Sequence, residues 1–114
     1  MSKKATVENL KNLFLNMGYG FKNRLTKDYI SWVLHIDGRV ARNYIAELRK
    51  AGHPIISTSK DKGYWYFNPD NVKDRIMAGI MVGETKNRID NLRLMMKPVE
   101  SLIFGQIKMF EEGQ

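Results

Sequence analysis

Apolar residues recur at helical spacing through the first half of this 114-residue chain. Val7, Leu10, Phe14 and Met17 are separated by three, four and three positions, which predicts an amphipathic helix over 6–17 capped by Thr6, with Glu8 and Asn9 off the stripe. Gly18-Tyr19-Gly20 ends it, and 20–24 read as a basic connection without a motif. Ile30, Val33 and Leu34 mark the apolar face of a short helix over 27–34, where Thr26 is the cap and Asp28 suits the positive end of the helix dipole. His35-Ile36-Asp37-Gly38 interrupts that pattern. Asp37 can cap a further helix over 38–51, Gly52 supplies its stop, and Pro54 forbids continuation. The period then changes. Residues 55–58 and 64–67 are rich in strand formers, and the Ser-Lys-Asp-Lys-Gly between them ends in the glycine that a hairpin turn favours.

Asn68-Pro69-Asp70 punctuates the hairpin, and Asp70 is the expected cap of a long C-terminal helix. Val72, Ile76, Ile80 and Gly83 form one stripe on it. Ile89, Leu92, Met96, Val99, Ile103, Gln106 and Phe110 form another, spaced alternately by three and four in a heptad-like seam. On a straight helix the two stripes lie about half a turn apart. The first is expected to cover the preceding domain. The second, which Met77 and Met81 extend, then calls for a partner helix, and Ile89, Leu92, Met96, Val99, Ile103 and Phe110 are the expected homodimer interface. The competing arrangement packs both stripes within one small helical layer of the same chain. Pro98 removes a helix hydrogen bond, so the helix either kinks or restarts there, and the unbroken phase from Met96 to Val99 favours a kink. The expected fold is mainly α with a small β-hairpin, divided into a module over 1–68 and a helical extension over 69–114.

The helix over 38–51 has two chemically distinct sides. At 100° per residue, Val40, Ala41, Tyr44, Ile45 and Leu48 fall within an arc of about 140°, and Arg39, Arg42, Asn43, Ala46, Arg49 and Lys50 fall opposite. Arginine can grip guanine edges or phosphates with two bonds, asparagine can read adenine, and the small Ala46 lets a helix approach a groove closely. A solvated helix face is also often Arg- and Lys-rich. What favours DNA contact is the context, a helix that follows a turn and precedes a hairpin.

The segment DGRVARNYIAELRKAGHPIIS followed by KGYWYF resembles the winged helix-turn-helix found at the N-terminus of biotin-operon repressors and in many small prophage-encoded proteins. The likeness covers about residues 6–67. It implies a winged helix-turn-helix fold and double-stranded DNA as partner, with Arg39, Arg42 and Asn43 facing DNA from the helix and Lys60 and Lys62 from the wing tip. Winged helices also serve as protein-binding modules. Trp32 departs from the pattern, standing where such families carry a polar or small residue. It either covers a seam against another segment or marks a partner surface.

Charge sharpens this reading. Residues 1–68 hold twelve Lys and Arg against five Asp and Glu, whereas 69–114 hold seven against seven, so the whole net charge of +7 lies in the first module. That is the electrostatic footprint of a nucleic-acid binder. Single strands could use Tyr19, Phe21 and Trp65, although aromatics flanking a hairpin more often belong to a core. Cysteine is absent, which excludes disulfides and thiolate metal sites. His35 and His53 have no ligand spacing around them, no serine sits in a nucleophile elbow, and no phosphate or dinucleotide loop occurs. No catalysis, metal or cofactor is expected. Without a signal-peptide core or an apolar run of about 18 residues, a cytoplasmic protein is expected, in the host cytoplasm if phage-encoded. Two functions compete: a sequence-specific DNA-binding transcriptional regulator or replication accessory factor of a phage or mobile element, and a protein-interaction module that inhibits a host complex through Trp32, Trp65 or the C-terminal helix.

Overall fold

The computed structural model describes the backbone of residues 5–112 and the side chains of residues 5–105, so the expected contribution of Phe110 lies outside the described side chains. Helices α1 (Val7–Met17), α2 (Lys27–Leu34) and α3 (Gly38–Lys50) are followed by a hairpin of β1 (Ile55–Ile56) and β2 (Trp65–Tyr66) and by the long helix α4 (Val72–Glu112). The mainly helical fold with a small hairpin is therefore as expected. Each of the first three helices starts at its expected cap. Asn9 N–H donates to Thr6 Oγ1 and Asn9 Oδ1 accepts in return from Thr6 N–H, a reciprocal box. Thr26 Oγ1 accepts from Tyr29 N–H at 3.1 Å, and Asp37 Oδ1 from Val40 N–H at 2.9 Å. A cap of this kind stabilises by about 1 kcal/mol. Between α2 and α3 the chain reverses through His35, whose left-handed backbone (φ 53°) stops α2 in a single residue.

The core lies on both faces of the hairpin. Neighbouring strand residues point to opposite sides. Ile55 and Tyr66, which are paired in register, join Leu10, Phe14, Leu25, Ile30, Ala41, Ile45 and Leu48 from the three helices and the connection before α2. The Phe14 and Tyr66 rings stack at 5.2 Å, and burial pushes the Tyr66 phenol above its ordinary pKa, with Tyr19 and Glu8 adding to the rise. Ile56 and Trp65, the other pair, face Met77 with Phe21, Phe67, Ala78 and Met81 around them. Trp65 is thus fully buried and offers no stacking surface to a nucleic acid or a protein. Leu25 adds a third line of pairing, exchanging two 2.8 Å backbone hydrogen bonds with Tyr64. Gly63 (φ 115°) makes this possible, because a Cβ there would stand 3.2 Å from the Leu25 carbonyl oxygen. The strands are shorter than their strand-forming composition predicts, since regular pairing ends where the chain curls into the loop.

The chain divides into two compact units, one reaching to Met81 and one beginning at Val82. In the first, the start of α4 docks with a face other than the expected one. Val72, Ile76 and Ile80 are 61, 60 and 49% exposed, whereas Asp74, Met77, Ala78 and Met81 turn inward. Asp74 sets this rotation. Its buried carboxylate accepts from Phe21 N–H and Asn68 N–H, each at 3.0 Å, and residues three, four and seven positions further on necessarily share its face. The cap is Asn71 rather than Asp70, because Asn71 Oδ1 accepts from Asp74 N–H at 3.0 Å. In the second unit α4 continues through Pro98 without a break, so the chain does not restart there. Ile89, Leu92, Met96, Val99 and Ile103 are all exposed within it. Among the described residues no helix is long and apolar enough to cross a membrane.

Replacing the buried Asp74 with Ala leaves two half-buried N–H groups without their acceptor and is expected to cost about 1.5–3 kcal/mol of unfolding free energy. Ile76→Ala is expected to stay within about 0.5 kcal/mol, as at other exposed positions. Urea unfolding checks both, and a larger loss for Ile76→Ala would contradict the docking face.

Candidate nucleic-acid interface

The two sides of α3 separate as its periodicity requires. Ala41, Ile45 and Leu48 are buried, Val40 and Tyr44 are half-buried, and the Tyr44 hydroxyl donates to the Ala5 carbonyl at 2.9 Å. On the other side Arg39, Arg42, Asn43, Ala46 and Lys50 are exposed. None of these cations forms an ion pair among the described residues; Lys11 pairs with Glu8 and Arg93 with Asp90 elsewhere on the chain.

Arg49 departs from the expected role. Its Nε donates to the Ile55 carbonyl at 3.0 Å and its Nη2 to Ser57 Oγ at 2.9 Å, with Met81 Sδ at 3.9 Å. It is half-buried and fastens the end of α3 to the first strand and the loop beyond it. The helical wheel holds the signal for this. Arg49 lies about 40° from Ile45, at the edge of the buried arc, where a long side chain can reach along a neighbouring element.

Lys60 and Lys62 are exposed on the loop between the strands. That loop has its own internal brace. Thr58 Oγ1 donates to Asp61 Oδ2 at 3.0 Å and accepts from Asp61 N–H at 3.2 Å, which holds the two lysines on either side of a fixed residue. An open cleft of about 400 Å³ runs between the start of α2, the middle of α3 and this loop. Lys27, Arg42 and Lys62 line it from three different elements, alongside Asp28, Ser57 and Asp61. Nothing in the local sequence around Lys27 marks it as part of this surface. Its stem crosses the first turn of α3, where a Cβ on Gly38 would stand 3.0 Å from Lys27 Cδ, so the glycine leaves room for the lysine stem.

The result is a convex basic helix beside a basic loop with a polar cleft between them. This arrangement suits phosphates and base edges. Among the described residues no group of three His, Asp or Glu is placed to hold a metal ion. Away from the cleft, Trp32 on α2 is 74% exposed and its ring centroid stands 6.3 Å from that of Tyr29, so it covers no seam within its unit. No protein-family model matches the chain, and no curated protein or solved structure matches it either.

Arg49→Ala removes two hydrogen bonds to the hairpin and is expected to lower stability by about 1–3 kcal/mol. Arg42→Ala, with no ion-pair partner among the described residues, is expected to change it by less than about 0.5 kcal/mol. Thermal unfolding of the two variants measures the difference. Equal stabilities would remove the clamp and return Arg49 to the exposed basic face.

Proposed function

We propose that the unit up to Met81 binds double-stranded DNA sequence-specifically, with α3 in the major groove and the hairpin loop against flanking phosphates. The observation that carries this reading is the exposed set of Arg39, Arg42, Lys50, Lys60 and Lys62, none of them ion-paired among the described residues, on the part of the chain that holds all of its net charge. Unpaired cations are available to displace condensed counterions from a phosphate backbone. Arg42 and Asn43, in mid-helix, read bases; Arg39 and Lys50, near the helix ends, and the two loop lysines grip phosphates. Ala46 keeps the middle of the helix shallow. Lys27 joins them from the cleft wall.

The chain acts as a homodimer through the second unit, whose exposed Ile89, Leu92, Met96, Val99 and Ile103 need cover, and a two-fold protein suits a two-fold site. Its role is that of a non-enzymatic transcriptional regulator or replication accessory factor of a phage or mobile element, working in the host cytoplasm. That context rests on the resemblance to prophage-encoded winged helices. A second reading, capture of a host protein, draws support from the exposed pair Tyr29 and Trp32. An exposed tryptophan is a frequent anchor of protein interfaces.

Binding to a duplex, followed by fluorescence anisotropy, is expected to weaken by about 10³ to 10⁵ between 50 and 200 mM salt if a dimer makes about 6 to 10 phosphate contacts. Arg42→Ala and Asn43→Ala are each expected to cost about 1–3 kcal/mol of discrimination between sequences, whereas Lys60→Ala and Lys62→Ala weaken all sequences alike and lower the salt slope by about one each. Salt-insensitive binding, or no binding at low salt, would overturn the DNA reading. A Trp32→Ala variant with undiminished DNA affinity separates the two surfaces.

A further inference from the structure

The apolar surface of the second unit is wider than a simple two-stranded seam. Besides Ile89, Leu92, Met96, Val99 and Ile103, it exposes Met95 (72%) and Leu102 (69%). With Ile89, Met96 and Ile103 at heptad position a and Leu92 and Val99 at d, Arg93 and Glu100 occupy e, and Arg88, Met95 and Leu102 occupy g. The two flanks therefore differ in kind. The e flank is charged with both signs, and the g flank is largely apolar.

The relative direction of two such helices decides which flanks meet. In a parallel pair each g residue lies beside the e residue of the following heptad on the other chain. That would set Arg88 against Arg93 and Met95 against Glu100, on both sides of the dimer. In an antiparallel pair a faces d, e meets e, and g meets g. When Met96 of one copy faces Val99 of the other, Leu92 faces Ile103, Arg93 meets Glu100, and Met95 meets Leu102, each twice by symmetry. Sliding this register by one heptad in either direction brings Arg93 against its own copy or Glu100 against its own copy. Of these three registers only the first pairs Arg93 with Glu100. The existing contact of Arg93, to Asp90 at 3.9 Å, is exposed and weak and leaves the guanidinium able to turn to a partner.

We propose that the second unit pairs with a second copy of this chain as an antiparallel helical dimer whose two-fold axis passes beside Pro98. The charge complementarity of Arg93 with Glu100 sets the direction, and the contact of Met95 with Leu102 explains why the apolar stripe is broad. Pro98 falls at position c, on the outer side, where its ring does not obstruct the seam. Leu94 and Phe104 stay outside this interface. The proposal rests on the homodimer reading given above and adds direction and register to it.

The chain has no cysteine, so single cysteines report the direction without interference. Full-length Leu92→Cys and Ile103→Cys are oxidised separately and as a mixture, and the products are resolved on a denaturing gel. The antiparallel dimer predicts a disulfide-linked species in the mixture and little in either variant alone, because residue 92 sits opposite residue 103. Self-linking of each variant alone would show a parallel dimer, overturning the direction while leaving the dimer intact. A monomer by light scattering at micromolar concentration would overturn both. Charge gives an independent sign: Arg93→Glu is expected to raise the dimer dissociation constant by about tenfold, and adding Glu100→Arg is expected to restore it. Tighter dimerisation of Arg93→Glu alone, through relief of Arg88 against Arg93, would overturn the antiparallel arrangement.

Discussion

A hairpin with two residues per strand cannot stand in water by itself, since an isolated two-stranded ribbon is marginal even when longer. Here it persists because both of its faces are buried. Ile55 and Tyr66 complete the three-helix core, and Ile56 and Trp65 are closed over by Phe21 and the first turns of α4. Leu25 pairs with Tyr64 at its edge, and Arg49 binds the Ile55 carbonyl. The loop that carries Lys60 and Lys62 is thus mounted on a middle layer held from four directions. Its position relative to α3, and the cleft between them, depend on that burial.

The same constraint explains the division of labour along α3. Its apolar side is consumed by the core, and Arg49 at the edge of that side is consumed by the hairpin. The remaining cations form no ion pair among the described residues, and two of the acidic residues near them are engaged elsewhere: Asp37 caps α3 itself and Asp61 braces the loop. A charge distribution of this kind is poorly suited to stabilising a fold and well suited to a polyanionic partner.

Local signals made the first three helices readable from sequence. Each begins at a hydroxyl or carboxylate side chain followed by apolar residues at spacings of three and four, and such caps act over a single turn. Choosing between two apolar faces of one helix is a different problem. Val72, Ile76 and Ile80 form a stripe more hydrophobic than the one carrying Met77 and Met81, yet the docking face is set by Asp74, whose partners Phe21 and Asn68 are 53 and 6 positions away. A buried carboxylate satisfied by two backbone N–H groups leaves no periodic trace. Trp65 was ambiguous for a related reason. A two-residue strand shows no alternation, and only the arrival of α4 makes its second face interior. Of the candidate interface, the exposed set on α3 and the loop was legible because it depends on helix phase and turn position alone. Arg49 and Lys27 were not, since their roles come from contacts with other elements.

The most direct test of the account is an amide chemical-shift map of the ¹⁵N-labelled protein titrated with a short DNA duplex at low salt. Perturbed amides are expected to concentrate on residues 39–50 of α3, on the 59–63 loop and around Lys27, with the Tyr29 and Trp32 surface unchanged. Perturbations centred on Tyr29 and Trp32, or no perturbation at all, would contradict it.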